Sequence, residues 1–529
     1  MFELELFLAN LGLLDFFSQN FIYFELYNLI IAIGVYLWTI FYDFYFNINF
    51  NLLSVLLLLN LNIILILFFT KNVNFIKKLI FVYLSIFYIL TIKLFNELLT
   101  TNILDYKYVI DINWIFFYDF KFKLGLDSIS ILFIFLTSFL ILVCIYSLIA
   151  VYEDTINYKE LIIILLLIKL LLILTFSSLN ILLFFSFYEA VLFPMFLLVG
   201  IWGSRKRRIR ASYFLLMYTL FGSIFMLTSI IYIYNKFGTL DIQFLYNLSS
   251  KFTLKEQVLL FLGFFVAFAI KIPMIPTHIW LPEAHVEAPT SGSIILAGLL
   301  LKLGGYGMLK FCLFLFPEAV IILNPYISIL AVLGIVYTSL TTLRQIDLKK
   351  IIAYSSIGHM NMVVLGIFSM NVIGIVGAIF LMISHGFISS CLFFLIGSIY
   401  DRYKTRNLKD YSGIAMIMPK FTNYLFIFIL GNMGFPGTSA FIAEFLLMNG
   451  IFASNFINIC GVMLGVLFTT IYSIWLFNRL CFGSIKVKYG TDLNSIETII
   501  TYFFIFFTII LGFYPNILIN SVLDFTINL

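Results

Sequence analysis

Charge is what this sequence has least of. Asp, Glu, Lys and Arg together make up 11% of its 529 residues, against 63% hydrophobic residues. A soluble domain carries about a quarter charged residues, so the composition excludes one. The net charge of +5 is uninformative as a total, its distribution along the chain being what matters, and nothing suggests a nucleic-acid partner. Cysteine is also scarce. Cys144, Cys312, Cys391, Cys460 and Cys481 lie far apart, mostly inside apolar runs, and no C-x-x-C occurs. A disulfide framework, a zinc site or an iron–sulfur cluster is therefore not expected, and metal ligands are expected to be absent. These cysteines read as small apolar residues. No G-x-G-x-x-G fingerprint for a nucleotide is present.

Basic residues are missing from the first 70 positions. Glu3, Glu5, Asp15, Glu25 and Asp43 stand there instead. A secretory signal needs a basic start and a mitochondrial presequence needs arginines. The expectation is a chain made in the compartment that inserts it. The excess of Phe (64) and Tyr (31) suits an AT-rich organellar gene.

Long apolar runs are what the sequence has instead. A helix needs about 20 apolar residues to cross a membrane core of ~30 Å. Fourteen core spans are predicted, at 52–69, 79–98, 128–149, 159–177, 179–201, 211–234, 258–276, 290–313, 323–343, 348–367, 372–399, 419–450, 456–480 and 498–518. The run at 21–42 is either a fifteenth helix or an interfacial one. Loop charge supports the count. Loops after odd-numbered spans hold about 20 Lys and Arg, including Arg205–Arg210, against about 6 on the other side. That bias places the odd loops on the negative side of the membrane. The Arg205–Arg210 cluster reads as a topology signal in contact with anionic lipid.

Two spans carry helix breakers. The seventh has Pro273 and Pro276; the twelfth has Gly434, Pro436 and Gly437 in GNMGFPGTS. Paired interrupted helices point to inverted repeats around a site at mid-membrane. The candidate repeats are spans four to eight and nine to thirteen. The resulting division is an extension over 1–50, three helices over 51–158, repeats at 159–313 and 323–480, and a C-terminal helix over 481–529.

Ionisable residues inside the spans are expensive, about 2.5–3.5 kcal/mol each on the lenient insertion scale. Six stand out: Glu189 in span five, Lys271 in seven, Lys302 in eight, His359 in ten, His385 in eleven and Glu444 in twelve. An acid–base–imidazole series of this kind can exchange protons. The competing reading is a static buried ion pair that fixes helix register. Lys169 in span four either snorkels to the membrane surface or approaches Glu189. His278, Glu283, His285 and Glu287 cluster in PTHIWLPEAHVEAPT. The three prolines from Pro276 to Pro289 make a rigid loop or short helix the first reading there. A proton-entry role for His278 or His285 is the second.

The stretch IKIPMIPTHIWLPEAHVEAPTSGSIILAGLLLKLGGYGMLKF resembles the chain 4 family of antiporter-like subunits of NADH–ubiquinone oxidoreductase, respiratory complex I. So do SFYEAVLFPMFLLVGIWG, RQIDLKKIIAYSSIGHMNMVVLGI and GFPGTSAFIAEF. The likeness covers about residues 50–520. It implies an all-α polytopic membrane fold with fourteen core helices, two inverted five-helix repeats and discontinuous helices seven and twelve. It further implies that Glu189, Lys271, Lys302, His359, His385 and Glu444 form one proton channel. No cofactor is then expected on this chain; NADH, FMN, iron–sulfur clusters and ubiquinone belong to other subunits. The implied partners are the other membrane-arm subunits, including the related chains 2 and 5, and lipids. The implied location is the mitochondrial inner membrane. A free-standing cation/proton antiporter and a scaffold with a dead proton path are the alternatives.

Overall fold

The computed structural model describes residues 51–70, 73–100, 106–115, 120–151, 156–486 and 490–527. The extension over 1–50, with its expected helix at 21–42, lies outside them. Each of the fourteen expected spans falls on a helix or on a helical pair. In chain order these are α1 (Leu52–Phe69), α2 (Val73–Thr100), α3 (Ser128–Val151), α4 (Ile156–Ser177), α5 (Ile181–Ala190) with α6 (Leu192–Trp202), and α7 (Arg208–Phe237). After a short α8 (Ile242–Leu248) come α9 (Leu254–Lys271), α10 (Trp280–Glu287), α11 (Thr290–Leu313), α12 (Pro317–Arg344), α13 (Leu348–Ile367) and α14 (Val372–Tyr403). The chain closes with α15 (Pro419–Asn432), α16 (Ser439–Ser454), α17 (Phe456–Cys481), α18 (Ser495–Phe513) and α19 (Asn516–Ile527). Among the described residues, 11 of these segments are long and apolar enough to cross a membrane. The remaining expected spans fall on α9, α13 and α15–α16. Charges thin the apolar run in α9 (Lys255, Glu256, Lys271), polar residues thin it in α13, and a break divides α15 from α16.

Three features differ from the sequence reading. The loop between α2 and α3 is not featureless: β1 (Lys107–Ile115) and β2 (Phe120–Leu126) pair antiparallel. Lys123 ties this hairpin to α8 through Asp241 at 2.6 Å and Gln243 at 2.8 Å. The fifth span is not one helix. It is interrupted at Val191, three residues before Pro194; proline has no N–H to return to the carbonyl of Ala190, and helices bend there. The C-terminal stretch holds two helices, α18 and α19, where one was expected.

α11 and α14 are buried along their whole apolar length, while α7, α12, α17 and α18 are less than half buried. The outer helices thus present apolar side chains such as Phe221, Leu333, Leu467 and Phe506 outward. The two inner helices pack against each other and against α3, and α14 also packs against α13, α15, α16 and α18. Polar groups in α11 and α14 are therefore held in the middle of the protein, away from lipid. α11 is itself irregular: Leu296–Leu300 and Met308–Leu313 are π-helical turns, a form that is rare and concentrates at functional sites.

Candidate functional site

The two broken helices explain where the site lies. α9 starts at a capping box, with Thr253 and Glu256 satisfying each other's backbone ends. It stops at Lys271 because Ile272 precedes Pro273, and a residue before proline is driven out of the helical region; Ile272 has φ −86° and ψ 70°. The indole of Trp280 donates to the carbonyl of Ile270 at 2.9 Å, so an acceptor near the break is satisfied. Lys271 sits at the C-terminal end of the helix, where a cation is favoured by the exposed carbonyls. The second break runs from Met433 to Thr438. Gly434 (φ +68°) and Gly437 (φ +97°) adopt the left-handed conformation there, which only glycine reaches at low cost. Both interruptions fall within one turn of the prolines that predicted them.

Glu189 lies at the end of α5, just before the Val191 interruption. Asn180 caps the start of that helix by accepting the N–H of Leu182 at 2.9 Å. Both carboxylate oxygens of Glu189 are buried without a hydrogen-bond partner. Lys271 and Ser223 are the polar groups that bear on it, yet no ion pair within 4 Å joins Glu189 to Lys271. The Lys271 ammonium instead sits 3.8 Å from the centre of the Tyr188 ring and makes no hydrogen bond. Tyr188, whose hydroxyl donates to the carbonyl of Ala267 at 3.2 Å, is a residue that sequence reasoning passed over. Its position beside Glu189 was the available signal.

The other four residues form a continuous cluster. Lys302 Nζ meets His385 Nδ1 at 2.9 Å and also donates to the carbonyl of Ala297. The His385 and His359 rings lie 5.6 Å apart, centre to centre. His359 Nδ1 is 3.6 Å from Glu444 Oε1, an ion-pair distance too long for a hydrogen bond. Asn432, the last residue of α15, also bears on His359 and was not foreseen. All four side chains are buried, Lys302 completely. Gly304 lets α11 approach the end of α9: a Cβ there would come within 2.6 Å of Ile272 and 3.0 Å of the Phe268 carbonyl. That contact packs α11 against the end of α9 that carries Lys271, although no hydrogen bond or ion pair links the Glu189–Lys271 couple to the four-residue cluster.

Lys169 does not approach Glu189, and it does not snorkel. It is fully buried, 3.1 Å from the centre of the Phe87 ring and 3.3 Å from the Tyr83 hydroxyl. Tyr83 in turn donates to Asn60. Its position on α4 faces α1 and α2, on another side of that helix from α5. His285 lies in α10, fully buried, and stacks on Phe393 at 4.7 Å and 5°. His278 is mostly buried against Tyr337.

A family model described as NADH:quinone oxidoreductase/Mrp antiporter, TM, matches residues 178–471, a stretch that holds all six site residues. NADH-ubiquinone oxidoreductase chain 4 of Chondrus crispus is 49% identical over 419 residues, covering 79% of this chain and 84% of that one. The chain belongs to the NADH–ubiquinone oxidoreductase chain 4 family. Other chain 4 relatives include that of Marchantia polymorpha, 47% identical over 78% of this chain and 84% of its own length. Subunit M of the NADH-quinone oxidoreductase of Rickettsia conorii is 43% identical over 78% of this chain. The fold of this chain is similar to one in respiratory complex I from Thermus thermophilus, with TM-score 0.79, 24% identity and coverage of 90% and 99% of the two chains. It is also similar to one in the Mrp complex from Dietzia, with TM-score 0.78, 19% identity and coverage of 90% and 98%.

Proposed function

We propose that this chain translocates protons as a membrane-arm subunit of NADH:ubiquinone oxidoreductase, coupling electron transfer from NADH to ubiquinone to proton movement across the membrane. One observation carries the reading. Buried or half-buried ion pairs away from the site are closed, among them Lys310–Asp127 at 3.2 Å, Lys123–Asp241 at 2.6 Å and Arg402–Glu497 at 2.5 Å. Within the site, Glu189, Lys271, His359 and the Nε2 of His385 keep buried polar atoms without protein partners. Buried polar groups are nearly always hydrogen-bonded. A register-fixing ion pair would look like Lys310–Asp127. Groups that must accept and release protons need open positions.

The reading implies a sequence of events. Glu189 holds Lys271 charged when the two act together. Weakening that coupling frees the Lys271 proton toward Lys302. Lys302 passes it to His385 through their direct contact, and His359 and Glu444 complete the line. Longer steps need bridging water. The redox groups belong elsewhere in the complex: NADH, FMN, iron–sulfur clusters and ubiquinone are held by other subunits, and this chain acts as the translocating part. Its partners are other membrane-arm subunits, chains 2 and 5 among them, and lipids. Its place is the mitochondrial inner membrane, with fourteen core spans and inverted repeats at 159–313 and 323–480. The paired breaks at Pro273 and Pro436 support that repeat assignment. Glu189→Gln in the assembled complex tests the function. It keeps the shape and removes the titration, so quinone-coupled proton translocation falls sharply while assembly persists. Unchanged translocation in the assembled variant refutes the proposal.

A further inference from the structure

An apolar groove of about 920 Å³ lies away from the six site residues. α2 and α18 both pack on α3 and stand on either side of it. Its walls are Phe81, Val82 and Ile89 of α2 and Ile496, Ile499 and Phe503 of α18. All six are exposed, so the groove opens sideways toward lipid. Phe139 and Val143 of α3 form the floor, each 2% exposed. The groove thus cuts through the outer layer to an inner helix. Lys77 and Lys78 stand at one end, near the start of α2.

Direction and depth follow from the helices. α2 enters the membrane at the odd-loop face, and its lining runs from Lys78 to Ile89. Eleven residues separate these two, about 16 Å of helix. Tyr146, near the end of α3, and Ile496, in the first turn of α18, lie at the same face as the lysines. Phe139 and Phe503 lie seven residues deeper along those helices, about 10 Å. A hydrocarbon core is ~30 Å thick, so the groove is one leaflet deep. At the opposite face the chain turns back into α19, which packs on α2, α3 and α14. The 12 residues of α19 reach about 18 Å, short of the odd-loop face. Among the described residues, nothing fills the odd-loop half.

Depth and charge together select the occupant. A membrane-crossing helix needs the full ~30 Å and would overrun a groove that ends at mid-membrane. A phospholipid of one leaflet is as deep as the groove. The loop-charge bias puts Lys77 and Lys78 on the negative side of the membrane, where anionic lipid attracts neighbouring basic residues. Tyr146, whose ring meets that of Phe81 edge to face at 5.5 Å, stands at the headgroup level, where tyrosine is enriched. We propose that the groove binds one anionic phospholipid of the odd-loop leaflet. Its phosphate sits at Lys77 and Lys78, and its acyl chains lie along Phe139, Val143 and Phe503. The lipid then bridges α2 to α18.

The test uses the assembled complex, purified in detergent and washed until its bound phospholipid reaches a constant level. Lys77→Gln combined with Lys78→Gln is expected to weaken anionic phospholipid binding about 30-fold, about fivefold for each lysine. The constant level then falls by one molecule per complex. Lys77→Arg combined with Lys78→Arg is expected to keep it, and loss from that pair as well overturns the charge-based site. Ile499→Trp narrows the mouth without touching the charges, and it is expected to release the same molecule. Unchanged anionic phospholipid in both the glutamine pair and Ile499→Trp overturns the proposal. A second measurement leaves lysines and mouth intact. In a Cys460→Ser background, Ser85→Cys on the groove wall carries a short photoreactive thiol probe in the native membrane. The expected adduct on the peptide holding position 85 is anionic phospholipid, enriched over its share of the bulk membrane. An adduct of bulk lipid composition, of residues 1–50 of this chain or of a helix from another subunit overturns the proposal.

Discussion

Gly434→Ala is the sharpest test of the break between α15 and α16. Alanine at φ +68° costs about 1–2 kcal/mol of backbone energy. Its Cβ would also lie 2.3 Å from Glu444 Oε2 and 3.0 Å from the carboxyl carbon. The carboxylate must then retreat by about 1 Å to reach ordinary contact. His359 stands 3.6 Å from Glu444, so the retreat alters the spacing at the end of the line. A misplacement of about 1 Å can slow a reaction by about 100-fold. Gly437→Ala is the control. Its φ of +97° carries comparable backbone strain, but its Cβ meets nothing nearer than Phe513 at 3.9 Å. Both variants are expected to lower the amount of assembled complex on a native gel. Only Gly434→Ala is expected to lower protons translocated per NADH oxidised, measured in proteoliposomes and normalised to complex. Equal translocation in the two variants refutes the claim that Gly434 exists to seat the Glu444 carboxylate.

Three further outcomes are expected. Lys271→Arg keeps the charge and can stack on Tyr188, but a guanidinium does not release its proton; coupled quinone reduction falls at least tenfold, and a fully active variant leaves Lys271 only an electrostatic role. Lys169→Met leaves translocation intact and changes thermal stability of the assembled complex little or upward, because no described carboxylate lies within 4 Å of this buried cation and such charges are often replaced by apolar residues at no loss; a pumping defect in an assembled variant contradicts this. Asp127→Asn opens the Lys310 pair and leaves a buried ammonium underpaired, so the amount of assembled complex falls, by several kcal/mol of local stability, while protons per NADH in the surviving complex stay unchanged.

The spans, the two breaks and the six ionisable residues were legible because each rests on a local signal. An apolar run, a proline or a charge in the wrong medium needs no neighbour to be read. The hairpin was legible in principle, since FKFKLGL alternates with period two, but charged alternating runs between spans read as loop. The interruption at Val191 was announced by Pro194 and passed over inside a strongly apolar stretch. Direction is what the sequence does not carry. Lys169 was clearly buried, but whether it faced Glu189 or Tyr83 depended on where α1 and α2 pack. The same holds for Lys310, which Asp127 neutralises from 183 residues away. The π-helical turns of α11 have no residue signature at all. They lie where α11 packs against α3, α14 and α9.

Those π turns set the angular phase of α11. A regular helix advances 100° per residue, whereas each wide turn accommodates extra chain without advancing the face by that amount. Lys302 stands between two such turns, at Leu296–Leu300 and Met308–Leu313. Rewinding either one into regular helix rotates one side of the helix against the other. Rewinding the first would turn Lys302 away from His385 while Thr290 stays anchored at the odd-loop end. The direction in which the buried lysine points is thus set by the wide turns on either side of it. Contact with His385 becomes a matter of rotation, and rotation can make or break a 2.9 Å proton contact inside a helix that is packed on every side.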